Sequence, residues 1–251
     1  HKRTKRESLD CAQALEELVD MGVSNIITFD AHDPRVQNAI PLKGFDNFNP
    51  PYQFIKALLK AEPDLKLDKD HLMIISPDEG AMHRAVYFSN VLGVDMGMFY
   101  RRRDYSKKVS GLHPVVAHEF LGPKVAGKDV IIIDDMISSG DTMLEVAELL
   151  KSRQVRKIFL CSTFGLFTEG LEKFDTAYEK GLIDRVLTTN LAYQSPELLS
   201  RPYYVSCDMS KYIALLIDTL NHDLSISRLL NPVDRITRCV NNYKKEHGQP
   251  V

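Results

Sequence analysis

Val130-Ile131-Ile132-Ile133-Asp134-Asp135-Met136-Ile137-Ser138-Ser139-Gly140-Asp141-Thr142 is the stretch on which the reading of this chain turns. Its run of β-branched residues predicts a buried strand over residues 129–133. Two adjacent acids follow, then a short hydroxylated loop with one glycine, then a helical pattern over residues 143–153. In an open α/β sheet, ligands sit outside the carboxyl ends of strands, at places of this kind. Loop amides and a helix N-terminus suit a phosphate. Paired carboxylates suit sugar hydroxyls or a magnesium ion. No Gly-Lys-Ser/Thr triplet is present, so the loop is not a Walker loop.

Outward from this stretch, elements alternate. Apolar spacing of three and four predicts a helix over 8–21, capped by Ser8 or Asp10. A strand over 24–29 ends at Asp30-Ala31-His32-Asp33, and residues 41–51 read as loop or short strand. Helices are predicted over 52–61, 81–92, 171–180 and 209–221. Strands are predicted over 71–76, 94–100, 115–121, 157–163, 185–189 and 203–206. Residues 101–111 are basic and aperiodic and read as an exposed loop; the last thirty or so are polar and show no clear element. The alternation predicts an α/β fold, a parallel sheet flanked by helices.

The bulk properties narrow the class. A chain of 251 residues holds one large or two modest domains. Its 44% hydrophobic and 26% charged content is that of a soluble globular protein. The net charge of -2 gives no basic field for nucleic acid, so no nucleic-acid partner is expected. Cys11, Cys161, Cys207 and Cys239 lack paired spacing, which points away from a zinc site or disulfide framework and toward reduced thiols in the cytoplasm. No apolar run approaches the ~20 residues of a membrane span, so no membrane partner is expected. The chain opens at His1 in a basic run, suggesting the C-terminal portion of something longer.

Four strand ends carry suitable polar groups: His32, Asp78-Glu79-Gly80, Arg101 to Arg103, and Asp134 to Thr142. A parallel sheet gathers such ends at one edge.

These residues resemble the ribose-phosphate pyrophosphokinases (phosphoribosyl pyrophosphate synthetases). Asp30-Ala31-His32 is similar to that family's Asp-Leu-His segment, and Val36-Gln37 and Ile40-Pro41 fall where it has Ile-Gln and Ile-Pro. Ser76-Pro77-Asp78-Glu79-Gly80 resembles its Ser-Pro-Asp-x-Gly loop. Asp134 to Thr142 resembles its phosphoribosyl loop, shared with type I phosphoribosyltransferases, and Thr189-Asn190 also matches.

The resemblance implies two phosphoribosyltransferase-like half-domains: an incomplete first one over residues 1–50, a second over 51–220, and a tail over 221–251. It implies transfer of the diphosphoryl group of ATP to ribose 5-phosphate with Mg2+, by a homo-oligomer that is a dimer or a hexamer. Asp134 and Asp135 would hold the ribose hydroxyls, and Ser138, Ser139, Gly140, Asp141 and Thr142 the 5-phosphate. Asp78, Glu79, Gly80 and Arg6 would serve ATP and its diphosphate; His32 and Asp78 would meet the metal. Arg101, Arg103 and His32 would be catalytic, with the arginines on a loop that closes over the transferred group. Departures from the family pattern are Arg101 for lysine, Ser138 for an acid, Asp141 for glycine and Phe164 for histidine. They keep a non-catalytic regulatory paralogue open as an alternative, and the resemblance of the second half alone also permits a type I phosphoribosyltransferase, against which His32 and the first-half motifs argue.

Overall fold

The computed structural model describes residues 9–103 and 115–250. The chain divides into two compact units, His1–Pro50 and Pro51–Val251.

The first unit contains α1 (Asp10–Asp20), β1 (Asn25–Phe29), a 3-10 turn (Pro34–Ala39) and β2 (Gly44–Phe48). β1 and β2 pair in parallel, from Asn25 opposite Gly44 to Phe29 opposite Phe48. The N-cap of α1 is Leu9, which makes no side-chain cap. Asp10 is the first helical residue, where its charge favours the positive end of the helix dipole. The expected cap by Asp10 is therefore corrected, and Ser8 lies outside the described residues.

The second unit runs α2 (Pro51–Ala61), β3 (Leu72–Ser76), α3 (Met82–Leu92), β4 (Asp95–Arg103), β5 (Val115–Leu121), β6 (Asp129–Ile137) and α4 (Asp141–Ser152). It continues with β7 (Ile158–Gly165), α5 (Glu172–Glu179), β8 (Arg185–Thr189), α6 (Pro196–Leu199), β9 (Tyr204–Cys207), α7 (Ser210–Asn221), α8 (Ser227–Leu230) and α9 (Val233–Glu246). Its seven strands follow the order β5-β4-β3-β6-β7-β8-β9. Every pairing is parallel except that of β4 with β5.

The central strands read as unbroken apolar runs because both their faces are covered. Leu72 to Ile75 and Val130 to Ile133 are buried throughout. Ile131 and Ile133 join one core with Phe54, Leu58, Phe88, Ile236 and Tyr243. Val130 and Ile132 join another with Met143, Val146, Leu150 and Phe174. Thus α2, α3 and α9 cover one face of the sheet, and α4 and α5 the other.

Three expectations change. β6 continues to Ile137, so Asp134 and Asp135 lie within the strand, where β7 still pairs with it (Asp134 opposite Ser162, Ile137 opposite Gly165). The loop expected from Arg101 begins later: Arg101 to Arg103 extend β4, with the backbone of Arg101 opposite His118 on β5. Residues 104–114 lie outside the described residues. The C-terminal segment is helical, since α9 buries Ile236, Val240 and Tyr243 at spacings of four and three.

Candidate functional site

β3 is the point at which the chain reverses direction across the sheet. From β3 it passes to β4 on one side, and later returns to lay β6 on the other. The carboxyl ends of β3 and β6 therefore flank the crevice in which doubly wound sheets bind ligands. Ile75 pairs with Ile132, so the loop beyond Ser76 and the acids beyond Ile133 emerge side by side.

The acids differ in surroundings. Asp135 is buried on the α3 side, and Arg84 approaches it with Nη2 3.8 Å from Oδ2. Asp134 is half-buried, and one of its oxygens accepts a 2.9 Å bond from the Asp135 amide. Burial, then the hydrogen bond and charge of Asp135, push the Asp134 carboxyl up to about 8. Asp134 therefore holds its proton more tightly than an exposed carboxyl does, and a cation or a donor of hydroxyl hydrogen bonds would favour its charged form.

The loop after β6 leads into the N-terminus of α4. Gly140 is the N-cap of α4, at φ +86°. A Cβ there would lie 2.3 Å from Cζ of Phe174, so glycine is demanded by both conformation and space. Among the described residues, the amides of Ser139 and Gly140 donate to no protein acceptor. Uncommitted amides at the start of a twelve-residue helix, together with its dipole, suit a phosphate. Ser138 Oγ lies 3.2 Å from Thr168 Oγ1, and Ser139 Oγ donates to Asp141 Oδ2 at 2.9 Å. Asp141 would repel a phosphate, but Lys173 on α5 sits 2.6 Å from its Oδ1. The same ammonium contacts Glu169 at 2.5 Å. The Lys173 and Ser139 hydrogen bonds hold Asp141 below the usual carboxylate range.

The loop after β3 is organised differently. Asp78 Oδ1 accepts from the amides of Gly80 (2.8 Å) and Ala81 (3.2 Å), and Ser76 Oγ donates to the Asp78 carbonyl at 2.6 Å. Those two amides are committed to Asp78. Glu79 is exposed.

The structure brings Asp78 to Gly80 and Asp134 to Thr142 to neighbouring strand ends. His32 belongs to the first unit, in the turn after β1. There it lines a cleft of about 840 Å3 with Thr28, Asp33 and Arg35. Asp30 in the same turn has φ +44°, and the Ala31 amide donates to Asn47 Oδ1 at 2.9 Å. The backbones of Arg101 and Arg103 extend β4, and Arg6 lies outside the described residues. Among the described residues, no group of three or more His, Cys, Asp or Glu is arranged to hold a metal ion.

Arg84 and Lys173 escaped the sequence reading. Arg84 carried a signal: it falls four residues before Phe88 and eight before Leu92, on the buried stripe of α3. A cation on an apolar stripe implies a buried partner. Lys173 carried none, because its partner Asp141 is thirty-two residues away.

The model of the phosphoribosyl transferase domain matches residues 53–201, and the chain belongs to that family. Curated relatives that it resembles include ribose-phosphate pyrophosphokinases. That of Thermococcus kodakarensis is 36% identical over 130 residues, covering 51% of this chain and 44% of its own. That of Pasteurella multocida is 26% identical over 228 residues, covering 90% of this chain and 67% of its own. The chain thus spans between about half and two thirds of the length of such relatives. The phosphoribosylpyrophosphate synthetase structure from Mycobacterium smegmatis shares the fold, with a TM-score of 0.72 at 18% identity over 87% of this chain and 65% of that one. No helix among the described residues is long and apolar enough to cross a membrane.

Proposed function

We propose that this chain contributes to a ribose-phosphate diphosphokinase, which moves the diphosphoryl group of ATP to ribose 5-phosphate and releases AMP. The observation that supports this most is the conjunction at the end of β6: two carboxylates in the strand, then two uncommitted amides at the N-terminus of α4. A phosphate seated on the Ser139 and Gly140 amides would place the sugar toward Asp134 and Asp135, whose oxygens accept hydrogen bonds from vicinal hydroxyls. The Arg84 guanidinium lies 3.8 Å from the Asp135 carboxylate, and the Asp134 carboxyl would share a hydrogen bond with a ribose hydroxyl.

Phosphoryl transfer is chiefly positioning and charge neutralisation. Mg2+ is the proposed cofactor. The donor set fits an ion that keeps several waters and takes one or two carboxylates plus substrate phosphates. Asp78 and Asp134 are the second unit's candidates for it, and when bound it would neutralise charge on the diphosphate. Arg101, Arg103, Arg6 and His32 are proposed to act on the ATP side. The curated relatives' name supports ATP and ribose 5-phosphate as substrates, and a homo-oligomer in the cytoplasm remains part of the proposal.

The test is AMP release from ATP and Mg2+ by the 251-residue chain, with and without ribose 5-phosphate, beside calorimetric binding of ribose 5-phosphate. Sugar-dependent AMP, lost in Asp135→Asn, supports the reading. Absence of ribose 5-phosphate binding overturns it. Binding without turnover favours the regulatory paralogue, for which Ser138 and Asp141 in the phosphate loop are the specific observation. Consumption of phosphoribosyl pyrophosphate with a purine or pyrimidine base would make the chain a phosphoribosyltransferase.

A further inference from the structure

A groove of about 580 Å3 runs between α2 and α9, within the second unit. Its walls carry Lys56 and Lys60 from α2, and Arg235 and Arg238 from α9. Among the described residues none of the four forms an ion pair. Glu246 is the acid in the groove's lining and Lys56 also acts on the Asp208 carboxylate, so the four cations outnumber these acids. Lys56 and Lys60 are four apart on one helix, and Arg235 and Arg238 three apart on the other. Like charges at such spacings destabilise a helix. Setting two such pairs across one groove adds repulsion, which an anion seated there would remove.

The groove is also rigidly made. Tyr243 lies with its hydroxyl 2.8 Å from the Pro63 and Leu65 carbonyls. Gln249 donates to the Leu65 carbonyl at 2.9 Å and accepts from the Leu67 amide at 3.1 Å. Ile236 and Val240 are buried beneath α9. Two ring systems complete the lining: Tyr52 under the Arg235 guanidinium at 4.9 Å, and His247 stacked on Tyr243 at 4.2 Å.

We infer that this groove binds a ligand bearing a chain of phosphates, at a place separate from the strand-end site. Several cations on a fixed scaffold match an extended polyanion better than a single phosphate. The volume falls in the ordinary range for small-ligand pockets. Inorganic polyphosphate and a nucleotide share this chemistry, and the aromatic faces would add affinity for a planar base.

Calorimetry on the full chain with inorganic tripolyphosphate, and separately with ATP, tests the inference. The variant Lys56→Gln/Lys60→Gln/Arg238→Gln alters exposed side chains, and circular dichroism checks its fold. A second variant, Lys60→Gln alone, serves if the triple one unfolds. Tripolyphosphate affinity should fall at least tenfold in the triple variant and severalfold in the single one, while ribose 5-phosphate affinity stays unchanged. ATP binding tighter than tripolyphosphate, and weakened by Tyr52→Ala, would identify a nucleotide; equal binding would identify an inorganic polyanion. Tripolyphosphate affinity within twofold of wild type in the folded variant overturns the inference. So does self-association of the chain that the triple variant abolishes without any binding of either probe, which would make the groove a protein-docking face.

Discussion

Substituting Gly140 by alanine probes the geometry of the loop between β6 and α4 most directly. The residue sits at φ +86°, where an L side chain costs ~1–2 kcal/mol. Its new Cβ would lie 2.3 Å from Cζ and 2.7 Å from Cε2 of Phe174. That ring is fully buried and held edge-on against Phe167, with centroids 5.2 Å apart. It cannot swing aside without disturbing the second core, and overpacking of this kind costs ~1–3 kcal/mol. Together the two effects predict a loss of roughly 2–5 kcal/mol. Gly127 provides the control: its φ is +79°, but nothing lies within 4 Å of an added Cβ. Gly127→Ala should therefore lose only the conformational part, about 1–2 kcal/mol. The chain has no tryptophan, so urea unfolding is best followed by far-ultraviolet circular dichroism. Phe174→Leu in the Gly140→Ala background should recover part of the difference. Equal losses for the two alanine variants, within about 0.5 kcal/mol, would refute the claim that Phe174 dictates the glycine.

Three further outcomes are expected. Asp134 is pushed up to about 8 from 3.8, so the folded chain keeps a proton that the unfolded chain releases, and stability falls as pH rises through that window. Asp134→Asn removes this loss; its advantage over wild type in urea titrations should grow between pH 5 and pH 8, by at most ~1.4 kcal/mol per pH unit, and a constant difference would sink the assignment. Burial alone would raise the Glu62 carboxyl, but its bonds to Lys157 (2.5 Å) and Arg185 (2.8 Å) outweigh burial and hold it below its ordinary 4.5. The stabilisation is present above that value and lost on acidification below it; Glu62→Gln should cost ~1–3 kcal/mol at pH 7, since both partners remain partly in water, and unchanged denaturation at pH 7 would argue otherwise. Lys173→Ala should weaken ribose 5-phosphate binding severalfold by leaving Asp141 unopposed, and Asp141→Gly in the same chain should restore it; calorimetry showing additive, independent effects would separate Lys173 from the phosphate loop.

The sequence by itself determined most of the strands and helices of the sheet. Runs such as Leu72 to Ile75 and Val130 to Ile133 can be dry on both sides only in a covered sheet. The acids, hydroxyls and glycine from Asp134 to Thr142 are the residue types from which the proposed sugar-phosphate site is argued. Local periodicity records which side of an element avoids water, so it reveals strands and helices where apolar residues are dense. In α9 they are sparse, three buried among fourteen residues, and the helix was not read. Tertiary structure alone decided the antiparallel pairing of β5, the continuation of β6 through its acids, and the Arg84–Asp135 and Lys173–Asp141 partnerships. Each depends on which distant segment arrives alongside. A strand's own side chains state that it needs a neighbour, whereas the neighbour's direction and charge are set by the whole sheet order.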